Sequence, residues 1–444
     1  MDVVRALDGY EIPTSRCWIS VRCVLPRSAT SCSVVSNLTS GLPVLVAKHL
    51  PLGLSIRMLK RSSADTEEHP FFVKARPESL TPENLVTRDA VWPDCDAMDM
   101  PSVSDYEPLF HLRVSCEPGT GRVGLRADIN HVLCDGRTAF DLLAMFCNVA
   151  LFGEDKTVPP CTKLTEFGHR DHFTDAVHDA VDALEKEGRI PESWTHIPRG
   201  KGRLIAGFPE PAVYVNTTYR YAYSPITQYC SRMGRDKGFS VQALLMAAKT
   251  RAVREYCGLP DSQALAVYTP TDTRVLPWAT EVNRSTSPFF CHAGCNVPVV
   301  CGTGSAEDDV RCCAEAMHAC ATGMDPCLQV MRSARCVDPK TLAFSPDTAT
   351  PNTTEDYLVA ASSLGDVTRS FPEGCVESGS DVWLGCTYAC STSFFSLNIY
   401  GYHAGDVMSI LSMTPSTLDP RFAQVLHKNL DEIFINVAGS HALP

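Results

Sequence analysis

Apolar positions along the chain recur at two periods, and the switch between them marks the elements. Leu109 to Ser115 (LFHLRVS) reads as a strand, and Glu117-Pro118-Gly119-Thr120-Gly121 as a turn. From Arg122 to Ile129 the pattern alternates, with Val123, Leu125, Ala127 and Ile129 on one face, which predicts a β-hairpin. Asn130 to Arg137 then leads into a helix predicted from Thr138 to Leu151, with Phe140, Leu143, Ala144 and Cys147 at helical spacing.

Prolines at 159, 160, 191, 198 and 209 punctuate a connecting region, interrupted by one amphipathic helix from Asp175 to Glu187 with Gly188 as its C-cap. Beyond it, Ser240 caps a helix to Tyr256 whose buried stripe is Val241, Leu244, Leu245, Ala248 and Ala252. Leu265 to Thr269 predicts a short strand ended by Pro270, and Ser305 caps a helix through Ala321. Phe394–Tyr402 and Val407–Met413 form a second hairpin around Ala404-Gly405-Asp406. A last helix begins at Asp419-Pro420 and buries Phe422, Leu426, Leu430 and Ile433. Strands and helices alternate in both halves, which predicts a two-lobed α/β protein.

The 444 residues are 44% hydrophobic and 20% charged, ordinary values for a globular protein with a sizeable core. The net charge of -12 argues against nonspecific nucleic-acid binding and against an anionic membrane surface, while leaving room for an anionic small ligand. Met1 to Pro13 shows no apolar run of the signal-peptide type, and Leu42–Leu59 is too interrupted to span a bilayer. A reducing, cytoplasmic compartment is therefore expected.

Cysteine is the outlier, with 21 residues. In a chain of this length without a leader, they read as small buried apolar residues rather than as a disulfide framework. Cys291 with Cys295, and Cys386 with Cys390, lack the paired close spacing of structural zinc sites, so no metal is expected. The sequons at Asn37, Asn216, Asn283 and Asn352 carry no weight in a cytoplasmic protein.

The sharpest feature is Ile129-Asn130-His131-Val132-Leu133-Cys134-Asp135-Gly136. A histidine leaves a strand on a tight loop, followed by an aspartate, a glycine and a helix. Histidine is the natural general base near neutral pH. Gly136 is expected to supply a backbone angle that other residues resist. Cys134 reads as a packed core residue, and His111, His292 and His403 as structural or surface histidines. Phe394 and Phe395 read as core, with an acyl-channel lining as the alternative.

HxxxDG between a strand and a helix resembles the chloramphenicol-acetyltransferase-like acyltransferase superfamily. That group includes peptide-synthetase condensation domains, BAHD, polyketide-associated and alcohol acyltransferases, and wax ester synthases. Three further segments match in order. Ser240 to Tyr256 resembles the helix opening the second lobe. Tyr268 to Arg274 (YTPTDTR) resembles the strand and loop ending in the structural arginine. Ser362-Ser363-Leu364-Gly365 resembles the SNLG-like segment near the lobe crossover. Three positions depart from the family pattern. Asn130 stands where condensation domains carry a second histidine, Ser363 replaces the asparagine of SNLG, and Asp381 to Gly385 only faintly echoes the BAHD DFGWG.

The resemblance implies two lobes, each a mixed β-sheet flanked by helices, with a site tunnel at their interface. The first lobe would span 1–175 and carry the loop, 176–210 would link, and 211–444 would form the second lobe, part of 355–400 crossing to the first. His131 would be the general base. Asp135 would pair with Arg274 and, with Gly136, hold the loop. Ser363 is an oxyanion or substrate contact candidate. The donor would be acyl-CoA as co-substrate, with no permanently bound cofactor, and the acceptor a small-molecule alcohol or amine of secondary metabolism. The protein would work as a monomer. Carrier-protein-dependent condensation and a noncatalytic ligand-binding relative are the competing readings.

Overall fold

Two separate hydrophobic cores organise the chain, one in each half of the fold. The computed structural model describes residues 2–7, 11–15, 17–60, 68–89, 108–158, 160–161, 175–189, 214–260, 265–272, 292–299, 304–321, 328, 331, 358–376, 381–388, 398–415 and 418–444.

In the first half the strands are β1 (Val3–Ala6), β2 (Cys17–Val24), β3 (Leu54–Lys60), β4 (Glu68–Lys74), β5 (Val86–Asp89), β6 (Phe110–Cys116) and β7 (Val123–Asn130). The helices are α1 (Ser31–Lys48), α2 (Gly136–Phe152) and α3 (Asp175–Lys186). The second half adds β8 (Tyr214–Ala222), α4 (Tyr223–Met233), α5 (Val241–Cys257), β9 (Leu265–Asp272), β10 (His292–Val299) and α6 (Ala306–Ala321). It continues with β11 (Leu358–Asp366), β12 (Val382–Tyr388), β13 (Asn398–Ala404), β14 (Val407–Pro415) and α7 (Arg421–Asp431).

The first lobe is built on a five-stranded sheet of order β12-β2-β7-β6-β5, beside a small sheet of order β1-β4-β3. Every residue of β2 and β7 is buried, so the main sheet is covered on both faces. One face carries Ile19, Val21, Leu125, Ala127 and Ile129 into the core shared with α1 and α2. The other carries Arg22, Arg126 and Asp128. There Arg126 Nε donates to Asp128 Oδ1 at 2.7 Å, and Arg113 Nε donates to Oδ2 at 3.0 Å. The Arg22 guanidinium lies over the Trp383 ring, 4.1 Å from its centre.

Trp383 arrives on β12, which lies late in the chain yet pairs antiparallel with β2 along its whole length, Val382 opposite Cys23 and Tyr388 opposite Cys17. Buried Tyr402 on β13 braces this strand, its hydroxyl donating to the Val382 carbonyl and accepting from Leu384 N–H, both at 3.3 Å.

The second lobe is a six-stranded mixed sheet of order β10-β9-β11-β13-β14-β8. Helix α5 lies against β11, α6 and α7, and buries Leu244, Leu245, Ala248 and Ala252 as its spacing predicts. Ser240 caps it by accepting from Ala243 N–H at 3.3 Å. Helix α7 buries Phe422, Leu426 and Leu430, and Ile433 follows in the next turn. Lys249 of α5 is fully buried, and its Nζ lies 4.8 Å from the Phe422 ring centre.

Two boundaries differ from the sequence reading. Strand β9 does not stop at Pro270 but runs to Asp272. Its pairing with β11 ends at Tyr268, and beyond that it pairs with β10 alone, so Pro270 stands where one side of the strand makes no ladder. Helix α2 starts at Gly136 rather than Thr138, because Asp135 caps it. The predicted strand residues Phe394 to Leu397 lie outside the described residues.

Candidate functional site at the strand-to-helix loop

The loop is shaped by Asn130, the last residue of β7. Its amide donates to the Ser15 carbonyl at 2.7 Å, and its Oδ1 accepts from Val132 N–H at 3.1 Å. The Asn130 carbonyl accepts from Leu133 N–H at 3.0 Å, closing a tight turn, and His131 N–H donates to the Cys17 carbonyl at 2.8 Å. An asparagine side chain that binds its own backbone two residues on is a turn former. Val132, Leu133 and Cys134 are wholly buried beneath the turn, while His131 keeps 9% of its surface. Cys134 is thus a core residue, as expected.

Asp135 ends the turn and begins α2. Its Oδ1 accepts from Thr138 N–H at 2.8 Å, and Thr138 Oγ1 accepts from Asp135 N–H at 2.9 Å, a reciprocal capping box. The aspartate is therefore tied into local architecture. The expected partner Arg274 lies outside the described residues. Gly136 corrects an expectation. It is the first residue of the helix and not among the glycines of positive φ. What a side chain would meet is Leu364: a Cβ there would stand 3.3 Å from Cδ2 and 3.5 Å from Cδ1, so the leucine would have to give by a few tenths of an ångström.

Leu364 belongs to β11, so the crossover segment meets the histidine loop directly. The Arg137 guanidinium adds a long contact to the Leu364 carbonyl at 3.4 Å. β11 is irregular here. Its register on β13 shifts between Ser363 and Gly365, and Gly365 takes a left-handed φ of 70°. Buried Gln242 of α5 satisfies the distorted strand on both counts, donating to the Ala361 carbonyl and accepting from Ser363 N–H, each at 2.7 Å. Sequence periodicity gave no signal for Gln242, because its partners lie on a strand far along the chain.

Burial pushes the His131 imidazole below its ordinary pKa, against the opposing pull of its own backbone, the Asp135 carboxylate and the Cys134 backbone. The ring is therefore neutral at neutral pH and able to accept a proton. Farther along the crossover, Asp366 faces Arg137 and His403. Burial raises its carboxyl, but the Thr368 N–H and hydroxyl, His403 and Arg137 together hold it below the usual range. His403 stacks on Tyr223 with ring centres 3.7 Å apart, and burial lowers its pKa. His111 bonds Thr87 Oγ1 at 2.9 Å. Phe394, Phe395 and the His292 side chain lie outside the described residues.

No protein-family profile and no curated protein matches the sequence. Solved structures do. The TRI3 trichothecene 15-O-acetyltransferase from Fusarium sporotrichioides superposes with a TM-score of 0.64 at 15% identity, covering 98% of this chain and 94% of that one. This chain has the chloramphenicol-acetyltransferase-like fold. The first condensation domain of the calcium-dependent antibiotic synthetase, in complex with a substrate analogue, matches with a TM-score of 0.59 at 13% identity over 98% of this chain and 97% of that one. TRI101 of F. graminearum, complexed with coenzyme A and T-2 mycotoxin, matches with a TM-score of 0.57 at 12% identity over 93% and 95%. No helix among the described residues is long and apolar enough to cross a membrane.

Proposed function

We propose that the protein is an acyltransferase that moves an acyl group from acyl-CoA to the hydroxyl of a small-molecule acceptor, with His131 as general base. The observation that carries this reading is a histidine, 9% exposed, held by a hydrogen-bonded turn beside Leu364 of β11. The neutral imidazole takes the acceptor proton as the oxygen attacks the thioester carbonyl. The tetrahedral intermediate then expels the thiolate, and the imidazolium returns the proton to that sulfur. Asp135 and Gly136 act by holding the loop; the family resemblance is what assigns Arg274, outside the described residues, as a partner of Asp135. Ser363 N–H already bonds Gln242, so an oxyanion contact from this residue would come from its hydroxyl. An amine acceptor would use the same steps. The coenzyme A complex of TRI101 supports the choice of donor.

The test is thiol release from a panel of acyl-CoA donors and alcohol acceptors. His131→Ala should reduce the rate by ~10²–10⁴-fold. The acid limb of kcat/KM should titrate below the free-histidine value of about 6.5, because burial favours the neutral ring. Unchanged acyl transfer by His131→Ala would refute the mechanism. A rate that appears only with an acylated carrier protein would favour a condensation-type enzyme, the reading that the match to a condensation domain supports.

A further inference from the structure

Three cysteines far apart in sequence meet in the core of the first lobe. Cys23 comes from β2, Cys147 from α2, and Cys375 from the segment that follows β11. All three are wholly buried. Their sulfurs all lie within 4.8 Å of one another, and Cys23 Sγ and Cys147 Sγ are 3.3 Å apart. Three sulfurs bound at ~2.3 Å around one ion in a plane would be about 4 Å apart. The observed spacings, one pair at 3.3 Å and all three within 4.8 Å, bracket that arrangement.

We propose that Cys23, Cys147 and Cys375 form a three-thiolate site for one soft, thiophilic d¹⁰ metal ion of the Zn(II) or Cu(I) kind. Thiolate is the ligand that selects such ions over hard cations, and a rigid core fixes the low coordination number. The Cys147 and Cys23 thiols hold Cys375 low against burial, whereas burial and its neighbours push Cys147 up. Cys23 is also raised, Cys375 and burial outweighing the pull of Cys147. Binding needs all three sulfurs as thiolates and so releases their protons, which makes affinity rise with pH. Because the sulfurs are sealed from water, the ion would load as the lobe folds. Cys147 lies on α2, roughly 18 Å along the helix from Asp135, so the ion would brace the lobe without touching the reaction. It would tie the segment after the crossover to β2 and α2.

The experiment uses the full chain. Metal content of the purified protein is measured by mass spectrometry, which also identifies the ion. The protein is then unfolded with chelator and refolded with Cd²⁺ alone, and the thiolate-to-metal charge-transfer band is titrated. One ion per chain and a band saturating at one equivalent are expected. Cys375→Ala and Cys147→Ala should lose the band, and Cys230→Ala, a buried cysteine of the other core, should keep it. Circular dichroism checks that each variant folds, and the wild-type stoichiometry stands as the test if the core variants do not. A wild-type protein that gives no one-equivalent band, or a Cys375→Ala protein that keeps the full band, would overturn the proposal. So would a Cys23–Cys147 disulfide in a peptide map of the alkylated, unreduced chain.

Discussion

Leu364 of β11 stands against the position that a side chain on Gly136 would take. Its Cδ atoms stand 3.3 Å and 3.5 Å from that position. The two residues couple the second lobe's sheet to the histidine loop. Gly136→Val should destabilise the protein by about 1–3 kcal/mol through overpacking, and should depress activity. Adding Leu364→Ala should recover part of both losses. A double-mutant cycle in chemical denaturation should give a coupling of about 0.5–3 kcal/mol. Additive effects would mean that the contact transmits nothing.

Asn130 should behave as a positioning residue. Asn130→Ala leaves the Ser15 carbonyl and the Val132 N–H without this partner, at about 1–3 kcal/mol for each buried group. Asn130→Asp keeps the acceptor for Val132 and loses the donor to Ser15, so it should fall between. Turnover should drop more than KM rises, since the effect is on the orientation of His131. Steady-state kinetics beside thermal melts would check this, and a melt shift with unchanged kcat would count against it.

Asp128 is the shared counterion of Arg113 and Arg126. Asp128→Asn removes a charge from between two cations and should cost about 3–5 kcal/mol in urea denaturation. An effect below ~1 kcal/mol would place the pairs among surface-like ion pairs.

Lys249 should make stability depend on alkaline pH. Burial lowers its pKa to about 7, and among the described residues its amine has no hydrogen-bond partner. Between pH 7 and the unfolded value of about 10.5, the unfolded chain binds more protons than the folded one. Stability from this group therefore rises as pH increases through that window, and it is lowest at pH 7 and below. Lys249→Met should stabilise the protein at pH 7 by on the order of 1–3 kcal/mol and flatten the rise, as read by melts across pH 7–10.

The loop and its helix were legible in sequence because their determinants are local. The alternation of Val123 to Ile129, the Asp135 cap and the apolar run after it are written within about thirty consecutive positions. The same holds for Ser240 at the start of α5 and for the turn at Gly405. What escaped was set by distant partners. Asn130 looked like a departure from a motif, and its role appears only once Ser15 is beside it. Gln242 lies outside the apolar stripe of α5, and its role appears only once β11 is beside it. Pro270 looked like a strand end because local rules cannot see that its pairing partner on one side has already stopped. The crowding at Gly136, too, comes from Leu364 rather than from its own backbone. The meeting of Cys23, Cys147 and Cys375 required a folded core to be visible at all.

The pairing of β12 with β2 has a consequence for how the polypeptide comes into being. Until the ribosome has delivered residues 382–388, the β2 margin of the first lobe's sheet has no neighbour. A nascent or shortened chain would thus present the backbone of Cys17 to Val24 as an open template for pairing with other chains. A strand that emerges late covers an edge that is made early, so emergence of residues 382–388, rather than of the first half, ends the exposure of that edge.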